Sequence, residues 1–118
     1  MRSASLEDQY KIFRYGMDKR EPPASWLAEP IAARGSSAIP FLTEQLESSA
    51  DDAAVRDILL VLRRMAEFRT YDVKRDTNLT GLLHKKISSL KSAWWRNYCE
   101  EDLQQIMATP YEKGDRLN

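Results

Sequence analysis

A single cysteine, Cys99, leaves the chain without an internal disulfide and without the thiolate set that a cysteine-built metal site requires. His84 is likewise the only histidine. Zinc-binding histidine pairs are therefore excluded, and a general base at His84 needs a partner that no spacing in the sequence supplies. Four glycines and five prolines are too few for a disordered or collagen-like chain. No glycine-rich phosphate loop and no serine-nucleophile elbow occurs. Long apolar runs are missing too: the longest, Ile58–Leu62, falls far short of the roughly 20 residues that span a bilayer. Net charge is also absent, with 18 basic residues against 18 acidic ones, and a neutral domain is a poor general binder of phosphate backbones. Met1-Arg2-Ser3-Ala4-Ser5 leads straight into charged sequence rather than into the apolar stretch of a secretory leader. The expectation is a protein with no membrane span, either cytoplasmic or exported after loss of a leader not present in these residues.

What is present is helical periodicity. With 42% apolar residues in 118, the chain supports one domain over 1–118, all-α, of about five or six helices. Ser5 reads as an N-cap with Asp8 three residues on, and Leu6, Tyr10, Phe13 and Met17 form one stripe of a helix ending near Lys19. Glu21-Pro22-Pro23-Ala24 breaks that helix. Ser25 reads as the next cap, with Trp26, Leu27, Pro30 and Ile31 on one face, Pro30 kinking or restarting the segment, and Gly35 ending it in a left-handed turn. Ser37 is expected to cap a third helix with Pro40 in its first turn and Ala38, Leu42 and Leu46 inward. Asp51 or Asp52 starts the strongest helix, running to about Phe68. Val55, Ile58, Leu59, Leu62, Met65 and Ala66 make its inner stripe, and Arg56, Asp57, Arg63, Arg64 and Glu67 its outer face. After a polar connection over Tyr71–Thr77, Thr77 or Asn78 caps a helix bearing Leu79, Leu82, Leu83, Ile87 and Leu90. Ser92 caps the last helix, with Trp95, Tyr98, Cys99, Leu103, Ile106 and Met107 inward. Thr109-Pro110 ends it, and residues 109–118 are expected to fray.

A shift of 41 residues superimposes Phe41 and Leu42 on Leu82 and Leu83, Leu46 on Ile87, Ile58 on Cys99, Leu62 on Leu103, and Met65 on Ile106. Within the first copy stand Gly35-Ser36-Ser37-Ala38-Ile39-Pro40-Phe41-Leu42, then Leu46, then Asp52-Ala53-Ala54-Val55-Arg56. This stretch, best over residues 25–68, resembles HEAT-type helical repeats, with Pro30 in the place of their kinking proline. The second copy has Ser92-Ala93-Trp94-Trp95-Arg96 where Asp-x-x-Val-Arg would stand. The resemblance implies stacked antiparallel helical hairpins, a curved α-α superhelix with a binding face, and no particular chemistry. Arg56 near Asp52 would bond within its turn and fix the angle between hairpins.

Chemistry-bearing residues are scattered. His84 reads as an exposed helix histidine and Cys99 as a small buried apolar residue. Asn78-Leu79-Thr80 has the form of a glycosylation sequon, but its place at a helix start favours capping. Lys86 and Asp102 fall inside apolar stripes. The lysine is expected to extend its ammonium into water, and the aspartate to find a donor such as Lys86 or a tyrosine hydroxyl. No catalytic residue, metal or cofactor is expected, and the chain reads as non-enzymatic.

Charge is uneven along the chain. Residues 1–62 carry a net −3, 63–96 a net +6 and 97–118 a net −3. The middle segment offers a basic surface of Arg63, Arg64, Arg69, Lys74, Arg75, Lys85 and Lys91 unless acidic neighbours in space neutralise it. The leading expectation is a small protein-interaction module, of which a bacterial immunity or adaptor protein is one version. Its protein partner is unknown, and its binding candidates are Leu60, Arg63, Arg64 and Trp94. Leu60 is an apolar residue in a charged arc, and Trp94 lies a quarter-turn off its helix's stripe. The alternative is a nucleic-acid-binding helical domain using the basic 63–96 segment, although no nucleic-acid motif accompanies it.

Overall fold

In a computed structural model describing residues 5–49 and 51–109, the chain is all-α, with no strand among the described residues. Among the described residues six α-helices follow in order: α1 (Leu6–Lys19), α2 (Ala28–Ala32), α3 (Ile39–Ser48), α4 (Asp52–Phe68), α5 (Thr77–Ser88) and α6 (Ala93–Ala108). The expected frayed tail, apart from Thr109, lies outside the described residues.

Three caps form where local sequence places them. The Ser5 hydroxyl accepts from Asp8 N–H, Asp51 Oδ1 from Ala53 N–H, and Ser92 from Trp95 N–H. Gly35 has φ +61, and a Cβ there would stand 2.6 Å from the Thr70 carbonyl oxygen, so that turn needs glycine. Other caps differ from expectation. Ser25–Leu27 forms a 3-10 turn with no side-chain cap, and the α-helix begins only at Ala28. That start puts Pro30 third in α2, within the first turn, where a missing N–H deprives the helix of nothing. Ser37 does not cap α3; its hydroxyl donates to the Arg34 carbonyl at 2.9 Å, and Ala38 stands at the cap without a side-chain bond. Asp76, not Thr77 or Asn78, caps α5. Its Oδ1 accepts from Leu79 N–H at 3.0 Å and its Oδ2 from the Tyr71 hydroxyl at 2.6 Å.

α4 is the centre of the fold, in extensive contact with α6 and α2 and touching α1 and α3. All six residues of its expected inner stripe are buried, and so are Val61 and Asp57. A helix covered on several sides buries more than one stripe, which is why Asp57, expected on the outer face, lies inside. The Cα radius of gyration, 13.9 Å, is close to the roughly 13.5 Å of a compact domain this long. Gly16 lets the loop after Pro23 lie against α1: its carbonyl accepts from Ala24 N–H, and a Cβ would meet Ala24 Cβ at 2.9 Å.

Several side chains expected inward are not. Trp26 is 51% exposed, with the Arg20 guanidinium 5.1 Å above its ring, and Pro30 is exposed. Tyr98 and Met107 also face out, because α6 meets the core through Cys99, Asp102, Leu103 and Ile106. The polar connection after α4 anchors itself through buried Val73. Lys86 does not end in water: its ammonium donates to the carbonyls of Glu47 and Ser49, both at 3.0 Å, closing the C-terminal end of α3.

Candidate functional site

The outward face of α4 carries Arg56, Leu60, Arg63 and Arg64 at i, i+4, i+7 and i+8, so the four side chains share one helical surface. α6 runs alongside and contributes an aromatic cluster. The ring centroids of Trp94 and Trp95 are 4.8 Å apart, those of Trp94 and Tyr98 5.4 Å, and those of Trp95 and Tyr98 5.8 Å. The Arg56 guanidinium lies 5.3 Å from the Trp95 ring centre and joins the two helices by a cation–π contact. Trp94, at the cluster's edge, is 62% exposed.

Two depressions meet at Arg56 and Met17. The larger, about 660 Å³, opens between α1 and the start of α4, with Arg14, Tyr15, Asp51 and Trp95 around it. The smaller, about 320 Å³, is bounded by Pro22 and Pro23, by Leu60, Arg63 and Arg64 of α4, and by Tyr98 and Asp102 of α6. Three of the four sequence-predicted binding residues thus line one depression. Trp94 does not line it but touches Tyr98, which does. Sequence reading missed Arg56, Tyr98 and the Pro22-Pro23 wall. The available signal was Arg56 four residues before Leu60 on the same face.

Buried carboxylates set the guanidinium positions. The Asp57 side chain is 2% exposed; Oδ1 meets Arg56 Nε at 2.6 Å, and Oδ2 meets Arg14 Nε at 2.7 Å. Arg56 is therefore held by its neighbour Asp57 rather than by the expected Asp52. Asp102 takes its donor from Arg63, at 3.1 Å, and not from Lys86 or a tyrosine. Burial raises the pKa of both Asp57 and Asp102 from the ordinary aspartate value, against the opposing pull of their arginines. Arg63 and Arg64 also converge on Glu67, at 3.4 and 2.7 Å.

The remaining candidates lie elsewhere. Burial, and then the Asp102 charge, push the Cys99 thiol up to about 12, so it stays a thiol at neutral pH. His84 is exposed on α5, beside a shallow hollow shared with Glu100, Leu103 and Met107. Thr80 of the sequon-like triplet is buried. Within the basic segment, Arg75 pairs with Asp72 at 3.2 Å, and Lys74 donates to the Thr109 carbonyl. Among the described residues, no group of three or more His, Cys, Asp or Glu side chains could hold a metal ion, and no helix is long and apolar enough to cross a membrane. No family model, no curated protein and no solved structure matches the chain.

Proposed function

We propose that the chain is a small helical interaction module that binds a protein partner along the outer face of α4, between α1 and α6, by recognition rather than catalysis. The observation that carries this reading is the gathering of Arg56, Leu60, Arg63 and Arg64 beside the Trp94–Trp95–Tyr98 cluster. Arginine, tryptophan and tyrosine dominate binding hot spots, because each combines a large apolar or planar surface with a polar handle. The scaffold in this proposal is a short HEAT-like stack of hairpins α1–α2, α3–α4 and α5–α6. It is supported by α4 lying between α2 and α6, and by α3 lying beside α5. An immunity or adaptor role is a version of the same reading. Duplex binding by the 63–96 segment has less support, since no nucleic-acid motif accompanies it and Arg75 and Lys74 are engaged away from this face, with Asp72 and with the Thr109 carbonyl.

The test is capture of a partner on the immobilised chain from a lysate of its source, repeated with Arg64→Ala and Trp94→Ala. Both substitutions should reduce capture at least tenfold while circular dichroism and thermal midpoint stay near wild type. Unchanged capture removes this face from consideration, and loss of folding in Trp94→Ala makes that residue part of the core instead.

A further inference from the structure

We infer that the smaller depression on α4 receives an extended, acidic peptide segment in which two carboxylates flank one bulky apolar side chain in alternate positions. This rests on the proposal that the α4 face binds a protein, and it specifies the partner's chemistry. Along a helix rising about 1.5 Å per residue, Arg56 stands roughly 6 Å before Leu60, and Arg64 roughly 6 Å beyond it. In an extended strand, residues i and i+2 face the same way about 6.6 Å apart. An acid–x–apolar–x–acid segment laid along α4 therefore matches Arg56, Leu60 and Arg64 in order and in spacing.

Size and charge favour the same occupant. A depression of about 320 Å³ accepts a single bulky side chain. Met17, Leu60, Pro22 and Pro23 give it an apolar lining, and Arg56, Arg63 and Arg64 supply positive charge. Asp102, the one carboxylate among its described lining residues, is met by Arg63. Each of the three arginines already meets a carboxylate, Arg56 that of Asp57, Arg63 those of Asp102 and Glu67, and Arg64 that of Glu67, but these contacts take only part of the five N–H donors each guanidinium carries. An incoming carboxylate can join these pairs without displacing them.

The experiment titrates the isotope-labelled full chain with an 11-residue peptide, Glu-Ser-Leu-Ser-Glu flanked by Gly and Ser, followed by NMR and by anisotropy of a fluorescein-labelled copy. Three control peptides replace both Glu by Lys, replace Leu by Ser, or separate Glu, Leu and Glu by three residues each. The acidic peptide should shift the Leu60 methyl and Tyr98 ring signals and bind at least tenfold more tightly than every control. Its affinity should fall as salt rises from 20 to 150 mM. In Arg64→Glu the Lys peptide should become the better ligand. If charge reversal unfolds the chain, Arg64→Gln should still weaken the acidic peptide at least threefold. Equal binding of the Lys peptide, tighter binding at the longer spacing, or no shift at millimolar peptide overturns the inference. If the peptide fails while lysate capture still depends on Arg64 and Trp94, only this inference falls. If capture is also insensitive to both residues, the interaction-module reading falls with it.

Discussion

Leu62 and Leu60 lie two residues apart on α4 and make a controlled comparison of core against groove. Leu62 is fully buried on the helix that α2 and α6 cover, whereas Leu60 is half-buried at the edge of the depression. Truncating Leu62 to alanine removes three buried carbon atoms and leaves a cavity between helices that are held on several sides and cannot close over it. Buried Leu→Ala substitutions cost about 2–5 kcal/mol, and the restricted collapse at this site places Leu62→Ala in the upper part, about 3–5 kcal/mol. Leu60→Ala gives up less contact and opens onto solvent, so its cost is about 1 kcal/mol. Against a total stability on the order of 5–15 kcal/mol, the first change takes a large share and lowers the thermal midpoint by roughly 10 °C or more. Urea unfolding followed by far-ultraviolet circular dichroism, with the denaturant slope held common, measures both. A Leu62→Ala cost below about 1 kcal/mol, or one no larger than that of Leu60→Ala, would refute α4 as the centre of the core.

Gly35→Ala should destabilise the fold by about 2 kcal/mol or more, because φ +61 is strained for alanine and the new Cβ would press on the Thr70 carbonyl; a wild-type urea midpoint would contradict that geometry. Cys99, with its thiol raised to about 12 from 9.0, holds roughly a thousandfold less thiolate at pH 8 than an ordinary thiol, and it is buried as well. Alkylation by iodoacetamide should therefore be negligible in native protein at pH 8 and rapid in urea, and rapid stoichiometric labelling of the folded chain would count against this placement. Random duplex DNA should bind weakly at low salt and lose that binding by 150 mM, so a sub-micromolar dissociation constant at 150 mM would favour the nucleic-acid alternative.

Features that depend on residues three or four apart were legible in the sequence. Ser5, Asp51 and Ser92 cap helices because each needs only the N–H groups two or three positions ahead. The inner stripe of α4 follows from the 3.6-residue period alone. Gly35 was recognisable because a left-handed turn after a helix selects glycine. Where two short-range solutions competed, local reading erred: Ser25 yielded to the constraint of Pro30, and Thr77 and Asn78 yielded to Asp76, whose second oxygen Tyr71 also engages.

The candidate site was legible only as two residues out of place, Leu60 and Trp94, and two arginines, Arg63 and Arg64, on the polar face of α4. That Leu60, Arg63 and Arg64 share a face could be read from helical phase. That they border one depression required α1, the Pro22-Pro23 loop and α6 to arrive beside α4. The partners of the buried charges were also decided in three dimensions. Asp57 draws Arg14 from 43 positions earlier in the chain, Arg63 reaches Asp102 39 positions later, and Lys86 closes the end of α3. Hydrophobic periodicity states which face of a helix turns inward, but it carries no information about which helix will cover that face. A charge near the edge of a stripe is therefore buried or exposed according to the neighbour that packs there, and only the assembled helices determine which guanidinium meets which carboxylate.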